Sequence, residues 1–143
     1  KEDSNNLIKK ISGDILYLDP PYNNRQYGSN YHVLNTIAQR DNPEVRGVTG
    51  MRDYNISLWC KKNQVESTFE DLIKNSNFEY VLLSYNNEGL MSHDTIKKIM
   101  EKYGEYQVIE KDYSRYKADK EHDKRKYKAS SVIEYIHILK ISK

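Results

Sequence analysis

Apolar positions along the chain fall into two kinds of run. Ile15-Leu16-Tyr17-Leu18 is unbroken and stops at Pro20-Pro21, so residues 14–19 predict a central parallel strand, buried on both faces. Residues 78–85, with Tyr80-Val81-Leu82-Leu83, read the same way. Residues 106–113 and 132–141 predict two more strands. Other segments carry helical spacing. Residues 3–10 read as a helix end with Leu7, Ile8 and Ile11 apolar, and residues 31–40 repeat Tyr31, Leu34 and Ala38. Residues 92–103 place Ile96, Ile99, Met100 and Tyr103 on one face, closed by Gly104. Ser67-Thr68-Phe69-Glu70 reads as a capping box opening a helix to about residue 75. Residues 41–53 hold Pro43, Gly47 and Gly50 and predict a loop.

Strands alternating with helices indicate an α/β layer fold with a mostly parallel sheet. The last two strands have no helix between them, which predicts an antiparallel pair at the sheet edge. The 143 residues support one domain. Nothing in the pattern divides them. Charge excludes a polycation, since the formal net charge is only +2. Nucleic-acid affinity must therefore come from local patches. The single Cys60 excludes an internal disulfide, and His32, His93, His122 and His137 show no ligand spacing, so no metal is expected. No apolar run approaches a membrane span, and Lys1-Glu2-Asp3-Ser4 is no signal peptide. A cytoplasmic protein is expected. Tyr occurs 13 times against 2 Phe and 1 Trp. The tyrosines are spread along the whole chain, which reads as codon bias rather than as a stacking surface.

Asp19-Pro20-Pro21-Tyr22 directly follows the first strand. Pro is scarce enough that a chance match is expected in roughly one chain in a thousand of this length. In open α/β sheets ligands bind outside the carboxyl ends of strands, where this turn lies. Each residue type suits methyl transfer to an exocyclic amino group, a poor nucleophile because its lone pair is delocalised. The Asp19 carboxylate and the Pro20 carbonyl can accept its two N–H bonds. The prolines offer no competing donor. Tyr22 offers a face on which an extruded base can stack. Arg25, Gln26 and Tyr27 follow the turn and read either as a solvated loop or as a contact with the substrate nucleotide. Ser84, Tyr85 and Asn86 end the second strand and would face the same crevice. Arg46 and Arg52 flank the two loop glycines and are candidate phosphate contacts. Residues 111–128 hold eight Lys or Arg and four acids. That run reads as a solvated loop or as a DNA-backbone contact through residues such as Arg115, Lys117, Lys124 and Arg125.

The stretch from Asp14-Ile15-Leu16-Tyr17-Leu18-Asp19-Pro20-Pro21-Tyr22-Asn23-Asn24-Arg25-Gln26-Tyr27 to Asn30-Tyr31-His32-Val33-Leu34-Asn35-Thr36-Ile37-Ala38 resembles the D12-class DNA adenine N6-methyltransferases of restriction–modification systems. Leu82-Leu83-Ser84-Tyr85-Asn86-Asn87-Glu88-Gly89 is similar to the family's next motif. The segment from Tyr113-Ser114-Arg115-Tyr116-Lys117 to Glu134-Tyr135 resembles its C-terminal end. The resemblance implies a Rossmann-like fold using S-adenosylmethionine, with Asp19 touching cofactor and substrate, and double-stranded DNA with a flipped adenine as partner. It also implies the sheet order 14–19, 80–85, 132–141, 106–113. The family's glycine-rich cofactor loop has no counterpart, since no two glycines stand in Gly-x-Gly spacing. The chain therefore reads as the C-terminal half of such an enzyme, from truncation, a split gene or a remnant. It is expected to be inactive alone, and to self-associate along the 14–19 edge or cover that edge with its N-terminal segment, unless a missing N-terminal half completes it. Other readings are an inert remnant, a partner-completed half-domain, or methylation of RNA adenine or protein glutamine. Asp at the first motif position favours DNA.

Overall fold

The computed structural model describes residues 2–114 and 131–142. Among them lie four strands, β1 (Ser12–Leu18), β2 (Asn77–Asn86), β3 (Gly104–Ser114) and β4 (Ser131–Ile141), in the sheet order β1-β2-β4-β3. The helices are α1 (Ser4–Leu7), α2 (Tyr27–Asn30), α3 (His32–Gln39), α4 (Val65–Lys74) and α5 (His93–Met100). The strand order is the one the resemblance implies. The expected mostly parallel sheet is corrected. Only β1 and β2 pair in parallel, whereas β4 is antiparallel to both β2 and β3. The cause is the hairpin order: β3 runs in the direction of β2, and β4 turns back and inserts between them.

The helices α4 and α5 pack on one face of the sheet. Val65, Phe69, Leu72 and Ile73 recur on one side of α4, and Ile96, Ile99 and Met100 on one side of α5. They close over Val81, Leu83, Tyr85 and Leu139, all at 1% exposure or less. Each such side chain contributes roughly 1.5–3 kcal/mol of burial. The other face is different. Ile15, Tyr17 and Ile109 are each about 60% exposed there. The expectation of a β1 buried on both faces is thus corrected, because β1 is an edge strand whose only strand partner among the described residues is β2. The N-terminal segment does not cover that edge. It lies on α4, with the Asn5 carboxamide donating to the Thr68 carbonyl and the Asp71 carboxylate.

Two helix starts separate local from tertiary control. Ser92 caps α5, accepting from the Thr95 amide at 3.1 Å. The expected capping box at Ser67 does not form, for α4 begins at Val65. Val65 is wholly buried, so the core holds the helix start ahead of the serine. Ser67 and Thr68 instead donate back to the Gln64 carbonyl. Glu70 reaches Lys102 at 2.8 Å and accepts from Tyr103, tying α4 to the end of α5.

His137 on β4 is wholly buried against α5. Its Nδ1 pairs with the Tyr106 hydroxyl at 2.8 Å, its Nε2 has no partner among the described residues, and the His93 ring lies 5.4 Å away. Burial first, then His93, pushes its pKa down to about 4 from the ordinary 6.5. The unfolded chain therefore takes up this proton as pH falls below 6.5 and the folded chain does not until about 4. Stability is lost across that window. Urea titrations between pH 7 and pH 4 are expected to show a loss on the order of 2–3 kcal/mol that His137→Gln lacks.

Candidate active site

Asp19-Pro20-Pro21-Tyr22 leaves the carboxyl end of β1, and Ser84 lies near the carboxyl end of β2. Parallel pairing sets Leu18 opposite Leu83, so Asp19 and Ser84 become neighbours. The Tyr22 hydroxyl joins them. It donates to Asp19 Oδ1 at 2.9 Å and lies 3.1 Å from Ser84 Oγ. A phenol has one proton to give, so Ser84 is the donor in the second bond. Asp19 is exposed, and its Oδ2 has no hydrogen-bond partner among the described residues. Pro20 and Pro21 add no backbone donor to compete for either oxygen. Burial, partly offset by the Ser84 hydrogen bond and reinforced by the Asp19 carboxylate, pushes the Tyr22 phenol up to about 12. The phenol is thus a proton donor at neutral pH.

Tyr22 is held from behind. Its carbonyl accepts from the Leu90 amide at 3.0 Å, and its ring meets Tyr85 edge to face at 5.1 Å. Tyr85, expected to face substrate with Ser84, is instead 1% exposed. The alternation of a strand explains this correction: Val81, Leu83 and Tyr85 share the core face, while Leu82, Ser84 and Asn86 share the other. The Tyr85 hydroxyl accepts the Leu90 and Met91 amides at 3.0 and 3.3 Å. Gly89 is required beside it, since a Cβ there would lie 2.1 Å from the ring. Asn86 Oδ1 accepts the Glu88 amide, shaping the same turn, and Asn87 ties it to Ile133 on β4.

Arg25 is exposed beside the turn, and Tyr27 is exposed and stacked on Tyr31 at 5.8 Å. The buried Cys60 thiol donates to the Arg25 carbonyl. Arg52 differs from the free phosphate contact expected of it. Its guanidinium forks onto Asp41 and also donates to Gln39, and the side chain is 11% exposed. The Arg52 charge holds the Asp41 carboxyl below the usual carboxylate range. Arg46 stays exposed, with Asp53 at 3.7 Å. Arg115, Lys117, Lys124 and Arg125 lie outside the described residues.

A second tie had no counterpart in the sequence pattern. The Gln26 carboxamide accepts the Ser57 amide at 2.8 Å and donates to the Ser57 carbonyl at 3.1 Å. It clamps the segment after the turn to the distant segment before Trp59. Between them, a cavity of about 310 Å³ opens at Asp19, walled by Leu18, Pro20, Trp59 and Leu72. An acidic oxygen over an apolar wall fits one side of an organic cation.

The candidate site is an exposed carboxylate on a Pro-Pro turn at the carboxyl end of a parallel strand pair. Residues 1–99 match the model of the D12 class N6 adenine-specific DNA methyltransferases, and the chain belongs to that family. It is 54% identical over 137 residues to the type II methyltransferase M.NlaIII of Neisseria lactamica, covering 96% of this chain and 41% of that one. It is 46% identical over 140 residues to M.FokI of Planomicrobium okeanokoites, covering 94% and 21% respectively. M.CviAII of Paramecium bursaria Chlorella virus 1 is 39% identical over 109 residues, covering 76% and 33%. The chain spans less than half the length of these curated relatives. No solved structure matches it.

Tyr85→Phe tests the support under Tyr22. It leaves the Met91 amide without its acceptor and the Leu90 amide with the Tyr22 carbonyl alone, and chemical denaturation is expected to show a loss of about 1–3 kcal/mol.

Proposed function

We propose that this chain carries the base-capturing and catalytic turn of an enzyme that methylates the N6 amino group of adenine in DNA. The observation that carries the reading is the exposed Asp19 carboxylate, with one oxygen held by Tyr22 and the other without a partner among the described residues, on a turn whose two prolines add no backbone donor. A base that leaves the duplex stacks on the Tyr22 face. Its amino group donates to Asp19 Oδ2 and to the Pro20 carbonyl. Two acceptors pyramidalise the nitrogen and turn its lone pair away from the ring. S-adenosylmethionine supplies the methyl group when bound. Asp19 and the wall of Leu18, Pro20 and Trp59 are the described residues that fit one side of it. The N6 proton released by the transfer passes to solvent at the exposed carboxylate. The gain is positioning and electrostatics rather than strong-base catalysis.

Two relatives carry the printed name modification methylase, which supports a role on the modification side of a restriction–modification pair. Arg25, Ser84, Asn86 and Arg46 are proposed to meet the substrate nucleotide and its backbone. Arg115, Lys117, Lys124 and Arg125 keep that proposal from their charge alone. Asp19→Ala is expected to reduce labelled methyl incorporation in the active enzyme by on the order of a hundred- to thousandfold, with DNA affinity within a few-fold. Full turnover by that variant would refute the assignment.

The open edge of β1 takes a further strand in this reading, from the rest of the enzyme or from a second copy. Unpaired strand edges beside apolar surface recruit partners. Sedimentation of the 143-residue chain is expected to show dimers or larger species, returned to monomer by Ile15→Lys with Tyr17→Lys. A wild-type monomer at high concentration would count against it.

A further inference from the structure

Tyr27, Tyr31, Asn35 and Gln39 stand at four-residue intervals along α2 and α3 and line one cleft of about 500 Å³. The cleft begins at Pro21 of the turn, and Arg52 and Tyr54 form its far wall. Tyr27 and Tyr31 are stacked with their planes 10° apart and are 58% and 50% exposed. Such a pair offers flat aromatic surface to solvent. Asn35 is half-buried, and its carboxamide has no hydrogen-bond partner among the described residues. Gln39 spends its carbonyl on Arg52 and keeps its amide hydrogens free.

The cleft is built rather than incidental. The double hydrogen bond between Gln26 and Ser57 fixes one end. The Arg52 fork onto Asp41 fixes the other. Gly28 lets α2 lie against Tyr54, where a Cβ would come within 2.6 Å of the Tyr54 side chain. Its chemistry also excludes one class of ligand. Arg52 is the cation in its lining and is neutralised by Asp41, and Asp53 adds a negative charge. A phosphate finds no free positive charge there. What remains is aromatic faces and carboxamides, the groups that stack on bases and read their edges.

We propose that this cleft takes the base adjoining the target adenine, stacked against Tyr31 and read at its edge by the Asn35 carboxamide. The inference rests on the reading of the chain as a DNA adenine methyltransferase. When an adenine leaves the stack, the face of its neighbour is uncovered. The cleft shares the Pro21 wall with the turn that receives the adenine, so that neighbour lies within its reach. Asn35 and Tyr31 would then contribute to which sequence is methylated, while Asp19 and Tyr22 act on the adenine itself.

The test uses the active enzyme that holds this chain, as for Asp19→Ala, and two duplexes with a mismatched target site. One carries 2-aminopurine at the target position, the other beside it. The wild type is expected to change the fluorescence of both. Tyr31→Ala combined with Asn35→Ala is expected to reduce the response beside the target at least fivefold and to leave the response at the target within twofold. Tyr31→Phe, which keeps the ring, is expected to retain both, and circular dichroism verifies folding of each variant. An unchanged neighbour response in the double variant overturns the cleft assignment and leaves the methyltransferase reading standing. Loss of both responses in the folded double variant also overturns it, since the ridge would then belong to the adenine pocket. No target response in the wild type overturns the methyltransferase reading, and this inference with it.

Discussion

The parallel register of β1 against β2 is the constraint on which the arrangement of the candidate site depends. Leu18 opposite Leu83 sets two carboxyl ends side by side, and the next residues out are Asp19 and Ser84. Tyr22 can bridge them only because both strands end on the same side of the sheet. An antiparallel partner would have put a strand start beside Asp19. The remaining strands serve this pair from a distance. β4 buries the far edge of β2, and the hairpin of β3 and β4 lets α5 pack beneath the Tyr85 ring.

Tyr22 shows how the support is layered. Its hydroxyl is placed by Ser84 and Asp19, its carbonyl by Leu90, and its ring by Tyr85. Leu90 in turn is held by the Tyr85 hydroxyl. The turn between β2 and α5 and the turn after β1 are therefore one hydrogen-bonded unit, although more than sixty residues separate them in sequence. A rigid aromatic face beside a solvent-exposed carboxylate is costly to maintain. Here the cost falls on Gly89 and on a buried tyrosine that touches no substrate.

The strands and the Asp-Pro-Pro-Tyr turn could be read from the chain because each has a local signature, whereas the strand order came from the family resemblance. Apolar runs and a Pro-Pro stop need only neighbours in sequence. The parts that could not be read are joined across the fold. Nothing near Gln26 announces Ser57, and nothing near Arg52 announces Asp41 as a partner rather than a phosphate. The start of α4 was set by the burial of Val65, which overrode the propensity of Ser67. Tyr85 is a different case. Strict alternation along β2 already places it opposite Ser84 and Asn86, so the period of a strand carried the answer. The Tyr27 and Tyr31 pair was hidden by composition, because among 13 tyrosines two at helical spacing do not stand out.

The two faces of the sheet divide stability from assembly. Among the described residues, the buried aliphatic side chains form one cluster with α4 and α5. The opposite face keeps Ile15, Tyr17 and Ile109 in solvent, and α3 likewise exposes Val33, Leu34 and Ile37. Apolar surface of this extent on two separate elements is more than scattered exposed residues would give. Of these side chains, Ile15 and Tyr17 stand on β1, the open edge strand that leads into Asp19. A strand added at that edge would lie next to the turn that carries Asp19 and to the cavity beside it. In the proposed reading, the strand that pairs with β1 would complete the sheet and the candidate site together.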